Sequence, residues 1–279
     1  MKSLLFGTAG IPLSTPGFGL LAGIKQVQKL GLGALELEFV RRINISLEKA
    51  PLVKETAEKE KVVLTCHAPY FINLNSAEKE KVAASKQRIL HSARIANACG
   101  AFSLTFHAAF YQKVPPEKVY LKVKEEIKQM IHTLQEERNN IWLRPETTGK
   151  PSQWGSLKEI LQLSQEAEQV MPCIDFAHLH ARENGKNNSL AEFREILAEV
   201  EKSLGRQGME NLHLHMSGIH YGEKGEKHHL ILEESDFRYQ ELMQALKEFR
   251  AAGVLISESP NLEGDALRMK NYFEKQVIQ

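Results

Sequence analysis

A barrel of eight parallel strands, each followed by a helix, is the fold class this sequence predicts, the (β/α)8 or TIM barrel with its site at the C-terminal ends of the strands. Three observations predict it. Short apolar runs alternate eight times with charged stretches whose apolar residues recur at helical spacing. Successive runs begin about 30 to 40 residues apart, the length of one βα unit with its loops. Six of the runs are followed at once by a histidine or a carboxylate, and in such a barrel those ends share one face.

The strand-like runs fall at about Leu4–Gly7, Ala34–Phe39, Val62–Cys66, Ser103–Phe106, Ile141–Arg144, Cys173–Phe176, Leu212–His215 and Val254–Ser257. Helices are clearest between the later runs, over Lys118–Glu137, Leu190–Leu204 and Phe237–Arg250. Gly33, Gly100 and Gly253 each stand after a helical run and before a strand, where a C-cap glycine belongs. The longest stretch without helical period, Met216 to Ser235, is expected to be a functional loop. No glycine-rich dinucleotide fingerprint follows the first strand, which counts against a doubly wound sheet. With no linker of Pro, Gly or Ser, residues 1–279 are expected to form one domain.

A formal charge of +1 gives no global field, so partners must be inferred from local groups. Cys66, Cys99 and Cys173 have no CxxC spacing, and two of them lie inside apolar runs, as buried free thiols of a cytoplasmic protein would. The N-terminal MKSLLFGTAGIPL is too short an apolar stretch for a signal peptide, and no run approaches a membrane span. A cytoplasmic protein without membrane partners is the expectation.

The donors carry the functional argument. His67 follows VVLTC, His107 follows SLTF and Glu146 closes IWLRPE. Asp175 and His178 leave CIDFAH three residues apart, His215 closes LHLH and Glu258 closes VLISE. His213, two before His215, points the same way along the strand and so lies deeper in the barrel. His180 is expected to be a solvated loop histidine. In the loop after the seventh strand, Glu226 and His228 are two apart and would chelate one ion. Nine donors exceed the needs of one ion and fit two or three four- to five-coordinate ions of the zinc or manganese type.

Taken together these residues resemble the endonuclease IV branch of the apurinic/apyrimidinic endonuclease family, among the xylose isomerase-like barrels. The resemblance rests on His-Ala-Pro-Tyr-Phe-Ile-Asn-Leu at His67–Leu74, on Phe106-His107, on Asp175 with His178, and on Glu258-Ser259-Pro260. It implies one ion on His67 and His107 and a second on Asp175, His215 and Glu258, bridged by the catalytic Glu146. A third would sit on His178, Glu226 and His228. It further implies damaged double-stranded DNA as partner, with hydrolysis of the phosphodiester 5′ to an abasic site by metal-activated water. Tyr70 and Phe71 stand where the family places wedges into the duplex, and Arg41 and Arg42 where phosphate or gap contacts belong. A monomer without an obligate protein partner is expected. The chain departs from the family at His107–Ala109 (HAA for HPG), at HMSG after the seventh strand, and at Glu226, where Asp is usual. These departures indicate a divergent, archaeal-type branch.

The alternative is a metal-dependent sugar or sugar-phosphate isomerase or epimerase, which would use Glu146, Asp175, His215 and Glu258 around one ion, with carboxylates for proton transfer. It leaves His67, His107 and the Glu226 loop without a role. A barrel that keeps metal without catalysis is the third reading.

Overall fold

The computed structural model describes residues 1–17 and 19–276. The strands are β1 (Leu4–Ala9), β2 (Ala34–Glu38), β3 (Val63–His67), β4 (Ser103–Phe106), β5 (Trp142–Pro145), β6 (Cys173–Asp175), β7 (Leu212–Met216) and β8 (Gly253–Ser257). They pair in parallel in the order β5-β4-β3-β2-β1-β8-β7-β6. The two ends of that order are joined by the bridges Leu143 to Val170 and Glu146 to Cys173, which bring the sheet round into a barrel. Helices follow the strands on the outside, as the (β/α)8 pattern requires. Among the described residues, no helix is long and apolar enough to cross a membrane.

Local chemistry explains the boundaries. The helix Leu157–Glu166 opens on a capping box, with the Ser156 hydroxyl taking the Glu159 N–H and the Glu159 carboxylate returning to Ser156 N. The helix Leu190–Met209 is interrupted at Gly205 (φ 64°), so its regular part ends where the sequence period ended. Gly100 (φ 80°) closes its helix in the left-handed region, as expected. Gly253 does not: the left-handed residue after that helix is Arg250, and Gly253 opens β8, where a Cβ would stand 2.1 Å from the Leu212 carbonyl.

The outer strand faces pack on the helices through a large apolar cluster that includes Leu35, Leu64, Leu104, Leu143, Leu214 and Leu255. The strand residues between these form a small apolar cluster of Ala34, Val254 and Ile256 and, above all, a set of polar groups. Glu36, Thr65, Ser103, Arg144 and His213 are all fully buried, one layer below the strand ends. Arg144 is held there by the carbonyls of Pro172 and Asn211, each at 2.8 Å. Most buried polar groups are hydrogen-bonded; here Arg144 Nε and Glu36 Oε1 remain without a hydrogen-bond partner. The three cysteines are buried and free.

The stretch Met216–Ser235 is a hairpin, not an irregular loop: Gly218–Gly222 pairs antiparallel with Gly225–Leu230 and folds over the strand ends.

Candidate metal centre

Glu146 leaves the end of β5 and is 1% exposed. One carboxylate oxygen lies 3.2 Å from His67 Nε2 and 3.3 Å from His107 Nε2. The other lies 3.2 Å from His215 Nδ1 and 3.3 Å from His178 Nδ1. The structure brings donor atoms together in four sets, each within 4.8 Å, three of them around the cavity: His67, His107 and Glu146; Glu146, Asp175, His215 and Glu258; and His178, Glu226 and His229; the fourth, Cys173, His213 and His215, is fully buried beneath. Glu146 belongs to the first two.

The third set corrects the sequence expectation at one position. His228 is exposed and packs on the ring of His220, centroids 5.0 Å apart, while His229 turns inward to within 5.7 Å of the His178 ring. The cause is a β-bulge. His220 pairs with His228 but Tyr221 pairs with Glu226, which leaves Lys227 unpaired. One extra residue shifts the alternation, so positions three apart rather than two share a face. His180 also departs from expectation. It is fully buried, with its ring nitrogens at the Lys186 carbonyl (2.7 Å) and Asp236 (3.2 Å).

Hydrogen bonding fixes how the imidazoles are presented. A carbonyl oxygen only accepts, so a ring nitrogen hydrogen-bonded to one carries the proton. His67 Nδ1 donates to the Ala68 carbonyl at 2.7 Å and His178 Nδ1 to that of Thr147 at 2.9 Å. His229 Nδ1 faces the Glu258 carbonyl at 3.2 Å. Their Nε2 atoms are thereby left with lone pairs, and His67 Nε2 nevertheless faces a Glu146 oxygen. A lone pair against a carboxylate is repulsive unless a cation lies between. Asp175 makes the same point: its Oδ1 caps the following helix at His178 N (2.7 Å), whereas Oδ2 is buried without a hydrogen-bond partner. The residues fit divalent cations bound by nitrogen and oxygen, with outer hydrogen bonds already in place.

Without an ion, protons take that role. Burial pushes the His67 imidazole down, but the hydrogen bond and charge of Glu146 outweigh it and raise the group to about 10. Burial likewise opposes charge on His178 and on His215, yet Asp175 raises the first well above the usual range, and Cys173 with Glu36 raises the second. Glu146 would be pushed up by burial but is held well below the carboxylate range by His107 and His215. Glu258 goes the other way, raised well above it by burial.

Two carboxylates were missed in the sequence. Glu36 lies under the site, 2.9 Å from the Nε2 atoms of both His213 and His215. Burial would raise its pKa, but His215 and His213 hold it far below the usual range. Glu38, at the end of β2, keeps a buried Oε1 without a hydrogen-bond partner and is raised to about 8, first by burial and then by the charge of Glu36. The signal was the alternation in ALELE, an unusual place for two acids.

A cavity of about 260 Å³ opens over the donors, lined also by Tyr70, Phe110, Lys150 and Gln153. Tyr70 and Phe71 stand exposed at its mouth (57% and 70%). Beyond Phe71 a broader groove is lined by Arg41, Arg42, Arg88, His91 and Arg94, with no acidic residue among its lining.

Comparison with known proteins places this geometry. A family model described as the xylose isomerase-like TIM barrel matches residues 24–276. The chain is 43% identical over 272 residues to an uncharacterized protein of Methanocaldococcus jannaschii, covering 97% of each. It is 22% identical over 189 residues to a probable endonuclease 4 of Mycoplasma pneumoniae, covering 66% of this chain and 63% of that one. Among solved structures, endonuclease IV from Thermus thermophilus superposes with a TM-score of 0.72 at 18% identity, covering 96% of this chain and all of the other. A D-tagatose 3-epimerase-like protein does so with a TM-score of 0.68 at 16% identity, covering 96% of each. At such identities the solved structures share the fold, whereas the family model spans nearly the whole chain: the protein belongs to the xylose isomerase-like TIM barrel family.

Proposed function

We propose that the protein is a metal-dependent phosphodiesterase that cleaves damaged double-stranded DNA 5′ to abasic sites, with zinc, or manganese in its place, as the metal. The observation that carries this reading is the surplus of donors: three sets around the cavity, two of them sharing Glu146. One ion on Glu146, Asp175, His215 and Glu258 would suffice for an isomerase or epimerase, and the epimerase neighbours keep that reading as the alternative. It gives no use to His67, His107, His178, Glu226 and His229, which line the same cavity.

Cations in these sets would supply Lewis acidity to the phosphodiester and to the attacking water. The chain's own contribution is placement. Glu146, with one oxygen toward His67 and His107 and the other toward His178 and His215, would be shared by ions held in the first two sets, an arrangement suited to two-metal phosphoryl chemistry. Glu258 at the cavity wall would hold an ion of the second set. Lys150 lines the same wall and would meet a phosphate oxygen. A cavity of about 260 Å³ admits a sugar and its phosphate but closes against a base pair. An abasic nucleotide enters it cheaply, because little stacking is lost on leaving the helix. Tyr70 and Phe71 would fill the gap in the duplex, and the arginine-lined groove beside them would take the phosphates that flank it.

The test is a duplex carrying one tetrahydrofuran abasic analogue, incubated with metal-loaded protein and with protein stripped by EDTA. A single nick 5′ to the analogue, lost on stripping, supports the reading. Absence of nicking together with epimerisation of a ketose would replace it by the alternative.

A further inference from the structure

We infer that Glu36 is a positioning residue of the metal centre, which works with His213 from inside the barrel to hold His215 with its Nε2 protonated and its Nδ1 open to an ion. The inference rests on the metal-dependent reading above and deepens it.

Glu36 lies mid-strand on β2, fully buried, a layer below the donors. Its Oε1 is 2.9 Å from His215 Nε2 and its Oε2 is 2.9 Å from His213 Nε2. Thr65 Oγ1 donates to Oε2 at 2.8 Å. An ionised carboxylate only accepts, so a proton on the ring nitrogen 2.9 Å from each of its oxygens is the arrangement it stabilises, with the two Nε2 atoms 3.2 Å apart beside it. His213 Nδ1 must then accept, and the Ser103 hydroxyl stands 3.0 Å away to donate to it. His215 Nδ1 points out of this layer toward Glu146 (3.2 Å) and Glu258 (3.4 Å), the carboxylates of its ion set, where an ion would take its lone pair. Glu36 Oε1 has no other hydrogen-bond partner, so its contact in this layer is the 2.9 Å approach of His215 Nε2.

The arrangement is needed because of where His215 sits. His67, His178 and His229 are oriented by backbone carbonyls in loops or helix starts. His215 belongs to β7, whose carbonyls lie in the sheet and are engaged with β6 and β8. Within the barrel no main-chain acceptor is offered, so a side chain must supply one. An outer partner of this kind fixes the tautomer and raises ligand basicity, and its loss typically weakens metal binding by about 10- to 100-fold.

Two measurements test the inference. Imidazole nitrogen NMR of the metal-loaded wild-type protein, with His215→Asn used only to assign the resonance, should show His215 protonated at Nε2 and bound to metal through Nδ1. The opposite tautomer overturns the inference, whether or not any Glu36 variant folds. In competition titrations with a zinc indicator, Glu36→Gln should weaken one ion by about 10- to 100-fold and leave the others unchanged. Unchanged affinity for all ions overturns it. So does a fourth equivalent of metal lost in Cys173→Ser, because Cys173, His213 and His215 would then be a site in themselves. A wild-type protein that binds no metal fails differently, since it removes the metal reading and not only the role of Glu36.

Discussion

Replacing Glu146 by Gln separates a bridging charge from a structural one. The amide keeps the shape of a side chain that is 1% exposed and touches four imidazoles at 3.2 to 3.3 Å. Its nitrogen must face either His67 and His107 or His178 and His215, so whichever way it turns, one ion set loses its shared carboxylate. Removing one preorganised group at a developing charge costs about 10²- to 10³-fold. A shared ligand belongs at the upper end, so nicking should fall by about 10³-fold, about 4 kcal/mol. At pH 9 the cost to the metal-free fold is smaller. His67, held at about 10, contributes about 1.4 kcal/mol for the one pH unit between pH 9 and its folded value. At about 2 to 4 °C per kcal/mol for a chain near this size, melting at pH 9 should drop by on the order of 5 °C. Steady-state nicking of the tetrahydrofuran duplex and calorimetry of the stripped protein measure the two. Activity within tenfold of wild type, or a loss of activity matched by unfolding at the assay temperature, would refute the bridging role.

The bulge at Lys227 makes His229→Ala and His228→Ala unequal: the first should release the third metal equivalent on dialysis, and the second should retain it and change stability by less than about 0.5 kcal/mol. Equal losses would restore His228 as the ligand. The metal-free fold should weaken as pH rises. Its His67 contribution is complete below the unfolded value of 6.5 and is lost through about 10, and Glu38, raised to about 8, acts in the same direction from 4.5 upward. Metal replaces the proton on His67, so the gap in melting temperature between loaded and stripped protein should widen from pH 6.5 to 9; a narrowing gap would contradict this. Phe71→Ala, at an exposed position, should leave melting unchanged and weaken binding of the abasic duplex by about 1 to 3 kcal/mol in a fluorescence titration, the worth of one stacked contact. Arg41→Ala should lower the salt dependence of that binding by about one unit of slope.

The barrel was legible because each strand is a short apolar run closed by a polar residue, and the order of eight such runs leaves little topological choice. The donors at strand ends were legible for the same reason. What the sequence hid depended on pairing. His229 displaced His228 through a bulge that arises only when Gly218–Gly222 meets Gly225–Leu230. For Glu36 the acid inside the apolar run ALELE was the only signal, because its partners His213 and Thr65 lie on β7 and β3, far apart in the chain. Gly253 reads as a helix cap because the close approach of Leu212 is visible only across strands.

The central claim is that one chain holds several ions around Glu146 and uses them on a phosphodiester. Metal content and nicking of the tetrahydrofuran duplex, measured on the same preparation purified without added metal, test it most directly. Two to three equivalents of zinc or manganese, with nicking that falls in proportion as they are removed, is the expected result. A single equivalent with no nicking and turnover of a ketose would contradict it.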